Sequence, residues 1–329
     1  MKKKFLILSL IILLLISNLS GCNKAATPLT KTGFYFDTVI SVTIYDSSKE
    51  YTLDQCLKLS EHYEKLFSPT LEGSDIWNIN HSGGAPVTVD EETIFLLKKA
   101  LSYAELTKGQ LNPAIAPLSS LWNFSSAATD THLVPDSQEI KARLEHTDYQ
   151  NILIHGQTVQ LSDAESAIDL GCIAKGYIAD KLKEYLLKEQ VESALINLGG
   201  NVLAVGNKPD SSPFLIGIQK PFAESGTAET TVSVSDSSAV TSGIYERYFE
   251  EDGILYHHIL DPKTGYPVDN NLASVTILSP SSVDGDALST SCLLLGLEDG
   301  SALIESLPDT EALFITKDGS LYYTSGFPK

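Results

Sequence analysis

The sequence predicts an α+β protein, a single domain over residues 31–329 built on a mixed, mostly antiparallel sheet with packed helices. Segments with helical apolar spacing and short β-branched segments both occur, but they do not alternate as a doubly wound parallel sheet requires. Tight-turn signals between strand-like segments recur, the clearest being Asp252-Gly253. Hydrophobic residues make up 43% of the chain, which is enough for a sizeable core.

The first half of the chain is predicted to be mainly helical. A strand or bent hairpin over 34–45 precedes two segments with apolar residues at helical spacing, 53–67 and 90–109. Asp90 is a typical N-cap and Gly109 a typical helix stop. Further helix starts are predicted at Ser74-Asp75 and at Asp136, and a Pro-punctuated irregular segment is predicted over 110–122.

The second half is predicted to be richer in strands. His155-Gly156-Gln157 and Lys317-Asp318-Gly319 have the composition of hairpin turns. One amphipathic helix follows Lys175-Gly176, a second begins at Ser281 or Ser282 and ends at Gly296, and a last helix comes after it. Strands are expected over 193–205, where a glycine turn divides two apolar runs, and over 214–219, 230–235, 239–242, 245–250, 254–260 and 273–278.

The N-terminus has the pattern of a secretory leader. Three lysines precede an apolar run over 5–16, and the residues LSGC, ending at Cys22, follow it. The run is short for a membrane span, and LSGC resembles a bacterial lipobox, which implies cleavage before Cys22 and a lipid on its thiol. We therefore expect a signal peptide over 1–21, a lipidated tether over 22–30, and an extracytoplasmic protein that the lipid holds at the bacterial membrane. A plain signal peptide or a short anchor is the alternative.

Charge and cysteine content exclude some classes of partner and scaffold. The formal net charge is −19, and it becomes −22 when the three lysines of the leader are removed. Such an acidic protein repels nucleic acids and anionic lipid headgroups, so neither is expected as a partner. Besides Cys22 the chain has Cys56, Cys172 and Cys292, an odd number that excludes a fully paired framework. A Cys172–Cys292 disulfide is a hypothesis.

Residues 169–180, DLGCIAKGYIAD, combine a small-residue turn with a helix start. The N–H groups of such a turn and the positive end of the helix can hold a phosphate, and Lys175 adds a full charge. Asp169 precedes the turn, where it can orient the turn or bond a ligand. The spacing is neither a Walker A loop nor a GxGxxG fingerprint. An ordinary strand-to-helix connection would account for the motif taken alone.

Residues 285–291, GDALSTS, offer two oxygen ligands on one helix face. Asp286 and Thr290 are four residues apart, so their side chains lie one helical turn from each other. Carboxylate and hydroxyl oxygens suit Mg²⁺, which usually takes its remaining ligands from phosphates and water. The alternative is structural: an aspartate that favours the positive end of a helix, with a threonine on the same face.

Residues 257–267, HHILDPKTGYP, join two histidines to a tight turn. Consecutive strand residues point to opposite faces, so at most one of His257 and His258 can enter a given site. The sequence has no HExxH or paired-cysteine spacing that would indicate zinc, and no GxSxG elbow that would indicate a serine hydrolase. The glycines of NLGGN, residues 197–201, indicate a close approach of backbone to a ligand or to another strand.

Together and in this order, DLGCIAKGYIAD, INLGGN, TSGIYERYF, HHILDPKTGYP and GDALSTS resemble the motifs of the ApbE family of FAD:protein FMN transferases. The resemblance extends to FDTVISV, SDIWNIN and LNPAIAPLSSLW, and so covers nearly the whole chain after the leader. It implies a single α+β domain with features of the tunnelling fold. It also implies a Mg²⁺-dependent reaction in which a Thr or Ser hydroxyl of an acceptor flavoprotein attacks the FMN-side phosphorus of FAD and AMP is released.

The resemblance also implies roles for individual residues. Asp286 and Thr290 match the metal-binding side chains, with the backbone carbonyl of Cys172 as a third ligand. His258, Lys175 and Asp286 are the implied catalytic residues, and the hydroxyl proton would go to His258 or Asp286. The implied FAD-contacting residues are Phe36, Thr38, Thr70, Leu111, Asn112, Pro113, Asp169, Lys175, His258 and Ile259.

The chain departs from the family pattern at three of these places. Asp37 replaces a glycine, Asn112 stands where aspartate is common, and Thr70 falls near the position of a residue that covers the flavin ring. Two other functions also stay open. The same site could use water as the nucleophile and act as an FAD pyrophosphatase, or the protein could be a flavin-binding lipoprotein without catalysis. Binding alone would not need a pair of metal ligands on a helix.

Overall fold

A computed structural model of the chain describes residues 27–124 and 133–328. The predicted signal peptide and the lipidation site Cys22 lie outside these residues. Within them every strand pair is antiparallel, and helices are interspersed among the strands. The predicted α+β organisation, with a mostly antiparallel sheet and packed helices, is confirmed.

Most of the strands belong to one large sheet. The strands are β1 (Leu29–Tyr35), β2 (Thr38–Ile44), β3 (Val87–Thr88), β4 (Ile152–His155), β5 (Thr158–Leu161), β6 (Ser193–Leu198), β7 (Asn201–Gly206), β8 (Phe214–Gln219), β9 (Ala228–Val234), β10 (Ser238–Gly243), β11 (Tyr248–Glu251), β12 (Ile254–His257), β13 (Leu272–Ser279), β14 (Glu311–Thr316) and β15 (Leu321–Tyr323). Eight of them form the main sheet in the order β1-β2-β6-β7-β10-β13-β14-β15. The others form the small sheets β3-β5-β4, β8-β9 and β11-β12.

Four of the seven α-helices in the described residues begin at a side-chain cap. The seven are α1 (Tyr51–Phe67), α2 (Asp75–Asn80), α3 (Glu91–Leu106), α4 (Ala116–Trp122), α5 (Ser137–Leu144), α6 (Ala174–Lys188) and α7 (Ser282–Glu305). Ser74, Asp90, Asp136 and Ser281 each accept a backbone N–H of the helix that follows. Gly296, predicted to end a helix, has a φ of 83° and a ψ of 179° and interrupts the helical geometry, so α7 consists of two helices that meet at this residue, as predicted.

The main core lies between the large sheet and the helices. Leu182 of α6, Ile196 of β6, Ile277 of β13 and Leu293 of α7 are fully buried in one apolar cluster. Helix α7 packs on α6, β10 and β13. It is long and apolar enough to cross a membrane, but half of it is buried inside the domain, as in the core helix of a globular protein.

The N-terminal hairpin lies close to the predicted domain boundary. β1 starts at Leu29, which pairs with Ile44, so the strand begins two residues before the predicted domain boundary. Phe36 and Asp37, with φ of 53° and 55°, form the turn to β2. The segment predicted as a strand or bent hairpin is therefore a hairpin. Asp37 adopts a left-handed backbone conformation, which the glycine expected at this position in the family would adopt without strain.

The hypothesis of a Cys172–Cys292 disulfide is wrong. Cys56, Cys172 and Cys292 are all free. Cys292 lies inside the core on α7, where its sulfur is 3.6 Å from the carbonyl oxygen of Gly300, and Cys172 lies in the turn before α6. Burial raises the pKa of Cys172 to about 12, so its thiol stays protonated and unreactive at neutral pH.

Candidate active site

Helices α6 and α7 cross where Gly176 meets the first turn of α7. A Cβ at Gly176 would lie 2.7 Å from the Cα of Val283, so the crossing requires glycine. Each helix supplies a carboxylate to the other's N-terminus. Asp180 accepts the backbone N–H groups of Ser282 and Val283, each at 2.9 Å, and Asp286 Oδ2 accepts the N–H of Gly176 at 2.9 Å. The crossing therefore fixes Asp286, which is 2% exposed, against the first turn of α6.

Lys175 lies beside this carboxylate. Its Nζ is 3.4 Å from Asp286 Oδ1 and donates to the carbonyl oxygen of Gly171 at 3.0 Å. Thr290 follows one turn along α7, and its Oγ1 is 3.1 Å from the Oγ of Ser242 on β10. A lysine, a helix N-terminus, a carboxylate and a hydroxyl thus come together, as the two sequence motifs predicted separately.

Two distant segments hold the turn that contains Asp169. The side-chain amide of Asn80, on α2, accepts the N–H of Ile168 at 2.7 Å and donates to its carbonyl at 2.9 Å. The N–H of Asp169 donates to the carbonyl of Pro113 at 2.9 Å, and Oδ2 of Asp169 accepts the Ser119 hydroxyl at 3.2 Å. The motifs SDIWNIN and LNPAIAPLSSLW therefore support the position of DLGCIAKG.

Cys172 lies between the two aspartates of the site. After burial, the negative charges of Asp169 and Asp286 contribute most to the raised pKa of its thiol, which indicates that both carboxylates are near. The backbone carbonyl that the family resemblance implies as a ligand belongs to this same turn.

The predicted FAD-contacting residues at 111–113 and Thr70 play different parts in the structure. Leu111 is buried, and Asn112 uses its side chain to donate to the Thr147 carbonyl and to accept the Ala114 N–H at 2.8 Å. These contacts stabilise the loop that carries Pro113. Thr70 is exposed, and its hydrogen bonds run to Ser68 in its own loop. Contact of these residues with FAD stays a prediction.

A second group of motifs meets at the NLGGN turn. Gly199, with a φ of 57°, packs so closely on Thr38 that a Cβ would overlap the threonine hydroxyl. The N–H of Phe36 donates to Glu64 Oε1 at 2.7 Å, which fixes the hairpin turn. Arg247 Nη2 is 3.8 Å from Asp37 Oδ2. The segments FDTVISV, NLGGN and TSGIYERYF therefore form one surface.

His258 joins this surface through Arg247. Its backbone N–H and its ring Nδ1 lie 3.1 Å and 3.3 Å from the Arg247 carbonyl oxygen. A carbonyl oxygen only accepts, so Nδ1 carries the ring proton and Nε2 keeps its lone pair. Burial, with the positive charge of Arg247, lowers the pKa of His258 to about 3, so the ring is neutral at neutral pH.

The two neighbours of His258 are both buried. Ile259 is buried, and its carbonyl accepts the Val268 N–H at 2.9 Å. His257 is buried, and its Nε2 lies 3.2 Å from the Val268 carbonyl oxygen. His257 therefore belongs to the domain interior, and the role of His258 in the site stays a prediction.

Glu246 is a candidate that the sequence analysis missed. Its Oε1 lies 3.6 Å from the position that a Cβ of Gly200 would occupy, so the carboxylate covers the NLGGN turn. The residue is open to solvent, but protein surrounds its carboxylate, and this desolvation raises its pKa to about 7. The positive charges of Lys175 and Arg247 oppose the rise, and the negative charge of Asp286 adds to it. One sign of it in the sequence is that Glu246 is an acidic residue within the motif TSGIYERYF.

The donors at the helix crossing fit Mg²⁺. Asp286 and Thr290 supply a carboxylate and a hydroxyl oxygen one turn apart, and hard oxygen donors are what this ion prefers. In residues 27–124 and 133–328 no three His, Cys, Asp or Glu side chains group as a metal site. The arrangement suits an ion that takes few protein ligands and completes its shell with phosphate oxygens and water.

Comparison with known proteins places this site in a family. The model of the ApbE family matches residues 36–314, which span both groups of motifs. The chain belongs to the ApbE family. Among its curated relatives, the FAD:protein FMN transferase of Klebsiella pneumoniae is 41% identical over 285 residues, covering 84% of this chain and 87% of that protein. The FAD:protein FMN transferase of Treponema pallidum is 38% identical, covering 83% and 79%.

Solved ApbE structures share the fold. The ApbE protein of Thermotoga maritima superposes with a TM-score of 0.83 at 31% identity, covering 91% of this chain and 97% of that one. The flavin transferase ApbE of Vibrio cholerae superposes with a TM-score of 0.81 at 29% identity, covering 92% and 98%. This chain is therefore similar over nearly its whole length to flavin transferases, and the α+β fold predicted from its motifs is that of the ApbE family.

Proposed function

We propose that this chain is an FAD:protein FMN transferase: it moves FMN from FAD to a Thr or Ser hydroxyl of an acceptor flavoprotein, forms a phosphoester and releases AMP. The ApbE relatives that carry this activity in their names support the proposal. The observation that carries it is the contact of Lys175 and the α6 N-terminus with Asp286, because this contact brings positively charged groups next to a carboxylate that can bind a metal ion. Binding of a diphosphate uses both the positive groups and the metal ligand.

The chemistry depends mainly on charge and position. Mg²⁺, held by Asp286, Thr290 and the Cys172 carbonyl, would neutralise the pyrophosphate of FAD. Lys175 and the positive end of the α6 dipole would offset the negative charge of the phosphates and the charge that develops on the departing AMP. Asp169 fixes the turn that presents these groups, through its bonds to Pro113 and Ser119. An acceptor hydroxyl bound in line with the departing AMP would lower the entropic part of the barrier.

The experiment that tests the proposal combines purified protein, FAD and MgCl₂ with an acceptor carrying a Ser/Thr-Gly-Ala-Ser/Thr-like segment. Intact-mass spectrometry of the acceptor should show one added FMN, and nucleotide analysis should show AMP. A chelator should abolish both. Free FMN and AMP without an adduct would indicate the pyrophosphatase instead. FAD affinity that is indifferent to chelator, without turnover, would indicate a binding lipoprotein.

Location at the membrane is part of the proposal. The support for it is the leader pattern and the position of Cys22. β1 begins at Leu29, only seven residues after Cys22, and seven extended residues span at most about 25 Å. A lipid on Cys22 would therefore hold the domain close to the bilayer surface, and the acceptors in reach would be membrane proteins or proteins docked there.

A further inference from the structure

We propose that Ser242, on β10, is a positioning residue that orients the hydroxyl group of Thr290 for the metal ion. The inference deepens the function proposed above and rests on its metal site. Ser242 acts through Thr290: it fixes the direction of the Thr290 hydroxyl proton and so the direction in which this oxygen presents its lone pairs.

Three hydroxyl groups and one carbonyl oxygen form a chain across the contact between α7 and β10. Ser242 Oγ lies 3.1 Å from Thr290 Oγ1 and 2.8 Å from Ser289 Oγ. Ser289 Oγ in turn lies 3.0 Å from the backbone carbonyl oxygen of Asp286. The chain therefore begins and ends at the two residues whose side chains are the predicted metal ligands.

The direction of each hydrogen bond follows from counting protons. A hydroxyl group has one proton to donate, and a carbonyl oxygen only accepts. Ser289 donates its proton to the Asp286 carbonyl, so it can only accept from Ser242. Ser242 then has no proton left for Thr290, and the Thr290 hydroxyl must donate to Ser242. The bonds assign every proton in the chain.

This direction suits a metal ligand. A cation binds a lone pair of the hydroxyl oxygen and is repelled by the proton. A threonine in a helix can turn its proton to the carbonyl four residues earlier, which for Thr290 is that of Asp286. Here Ser289 already donates to that carbonyl, and Ser242 receives the Thr290 proton on the β10 side. Both lone pairs of the half-buried Thr290 hydroxyl are left for other partners.

The alternative is that the chain only packs α7 on the sheet, and Thr241 provides a matched control for it. Its Oγ1 lies 2.8 Å from Thr276 Oγ1 on β13, a hydroxyl pair like that of Ser242 and Ser289. Consecutive strand residues point to opposite faces. Val240, two residues before Ser242, faces α7, since its Cγ2 lies 2.9 Å from where a Cβ of Gly285 would be. Thr241 therefore points away from α7.

The test is a calorimetric titration of MgCl₂ into the protein saturated with FAD. Partners that orient a metal ligand typically change metal affinity by 10- to 100-fold, so Ser242→Ala should raise the Kd for Mg²⁺ by roughly this factor. Ser242→Thr keeps the hydroxyl and should recover most of the affinity. Thr241→Val should bind Mg²⁺ as wild type does. Ser242→Cys, whose thiol is a weaker acceptor, replaces the alanine variant if that variant does not fold.

A double variant tests whether Ser242 acts through Thr290. Thr290→Val removes the ligand itself, so adding Ser242→Ala to it should weaken Mg²⁺ binding no further. In the transfer assay, Ser242→Ala should need more MgCl₂ to reach half of its maximal rate. Its kcat at saturating MgCl₂ should stay close to wild type, because the ion, once bound, does the same chemistry.

Wild-type Mg²⁺ affinity in folded Ser242→Ala would overturn the inference and leave the proposed function intact. So would equal losses in Ser242→Ala and Thr241→Val, or a double variant that binds Mg²⁺ more weakly than Thr290→Val, because either result would indicate a packing role. A wild-type protein that binds Mg²⁺ and forms no adduct with any acceptor would instead overturn the proposed function and leave the inference standing.

Discussion

Variants at Asp286 can distinguish the proposed catalytic role of this carboxylate from its role in stabilising the fold. In Asp286→Ala, the buried N–H of Gly176 loses its acceptor, which costs about 1–3 kcal/mol. The ion pair with Lys175, whose side chain is 26% exposed, adds up to about 1 kcal/mol. We therefore expect the free energy of unfolding to fall by roughly 1–4 kcal/mol, the sum of the two losses.

The effect on catalysis should be larger than this loss of stability can explain. Loss of a metal ligand that acts on the transition state plausibly removes about 3 kcal/mol or more, which is a factor of about 100 or more in rate. Asp286→Asn is the control, since its amide oxygen can still accept the Gly176 N–H. It should recover most of the stability and little of the rate.

The measurement is adduct formation by intact mass at saturating FAD, over a titration of MgCl₂, with urea denaturation of the same preparations. Asp286→Ala should show no Mg²⁺-dependent turnover, although a folded fraction persists. An unchanged rate at saturating FAD would refute the metal assignment. If Asp286→Asn recovers the rate together with the stability, the carboxylate is structural and the metal lies elsewhere.

Three further predictions concern the support of the site and its location. Gly176→Ala should lower the free energy of unfolding by about 1–3 kcal/mol in urea denaturation, because the new methyl group meets the backbone of α7; unchanged stability would show that the helices can separate. Asn80→Ala removes two hydrogen bonds to Ile168, so stability should fall by about 2 kcal/mol and FAD should bind more weakly in a fluorescence titration. Asn78→Ala, which removes a bond within its own loop, is its control and should keep wild-type FAD affinity. Cys22→Ser should move the protein from the membrane fraction to the soluble fraction, whereas retention in the membrane would exclude the lipid anchor.

The local elements could be predicted because their signals are local. Asp90, Asp136 and Ser74 cap helices through bonds to the next few residues, and Asp252-Gly253 closes a hairpin between strands that follow each other. The pairing of Asp286 with Thr290 on one face of α7 follows from the helical repeat alone. Such relations hold whatever the rest of the chain does.

Relations between distant segments could not be predicted in this way. Ser242 meets Thr290 because β10 lies beside β7 and β13 in the main sheet and α7 packs on β10, and no periodicity in the sequence contains that order. The same reason explains why the disulfide hypothesis was wrong. Cys172 and Cys292 lie in or next to motifs of one site, but the two residues have different surroundings. The exchange of carboxylates between α6 and α7 depends on the crossing at Gly176, and became visible only with both helices in place.

That exchange has a consequence for how the enzyme tolerates a shortage of metal. In small zinc domains the ion supplies the folding free energy, so a chelator unfolds the protein. Here backbone N–H groups and a lysine already hold the carboxylates that the two helices share, before any ion arrives. A chelator should therefore stop turnover and leave the melting temperature almost unchanged. Loss of the metal ion would then stop activity reversibly, and the folded protein would regain activity when the ion is added back.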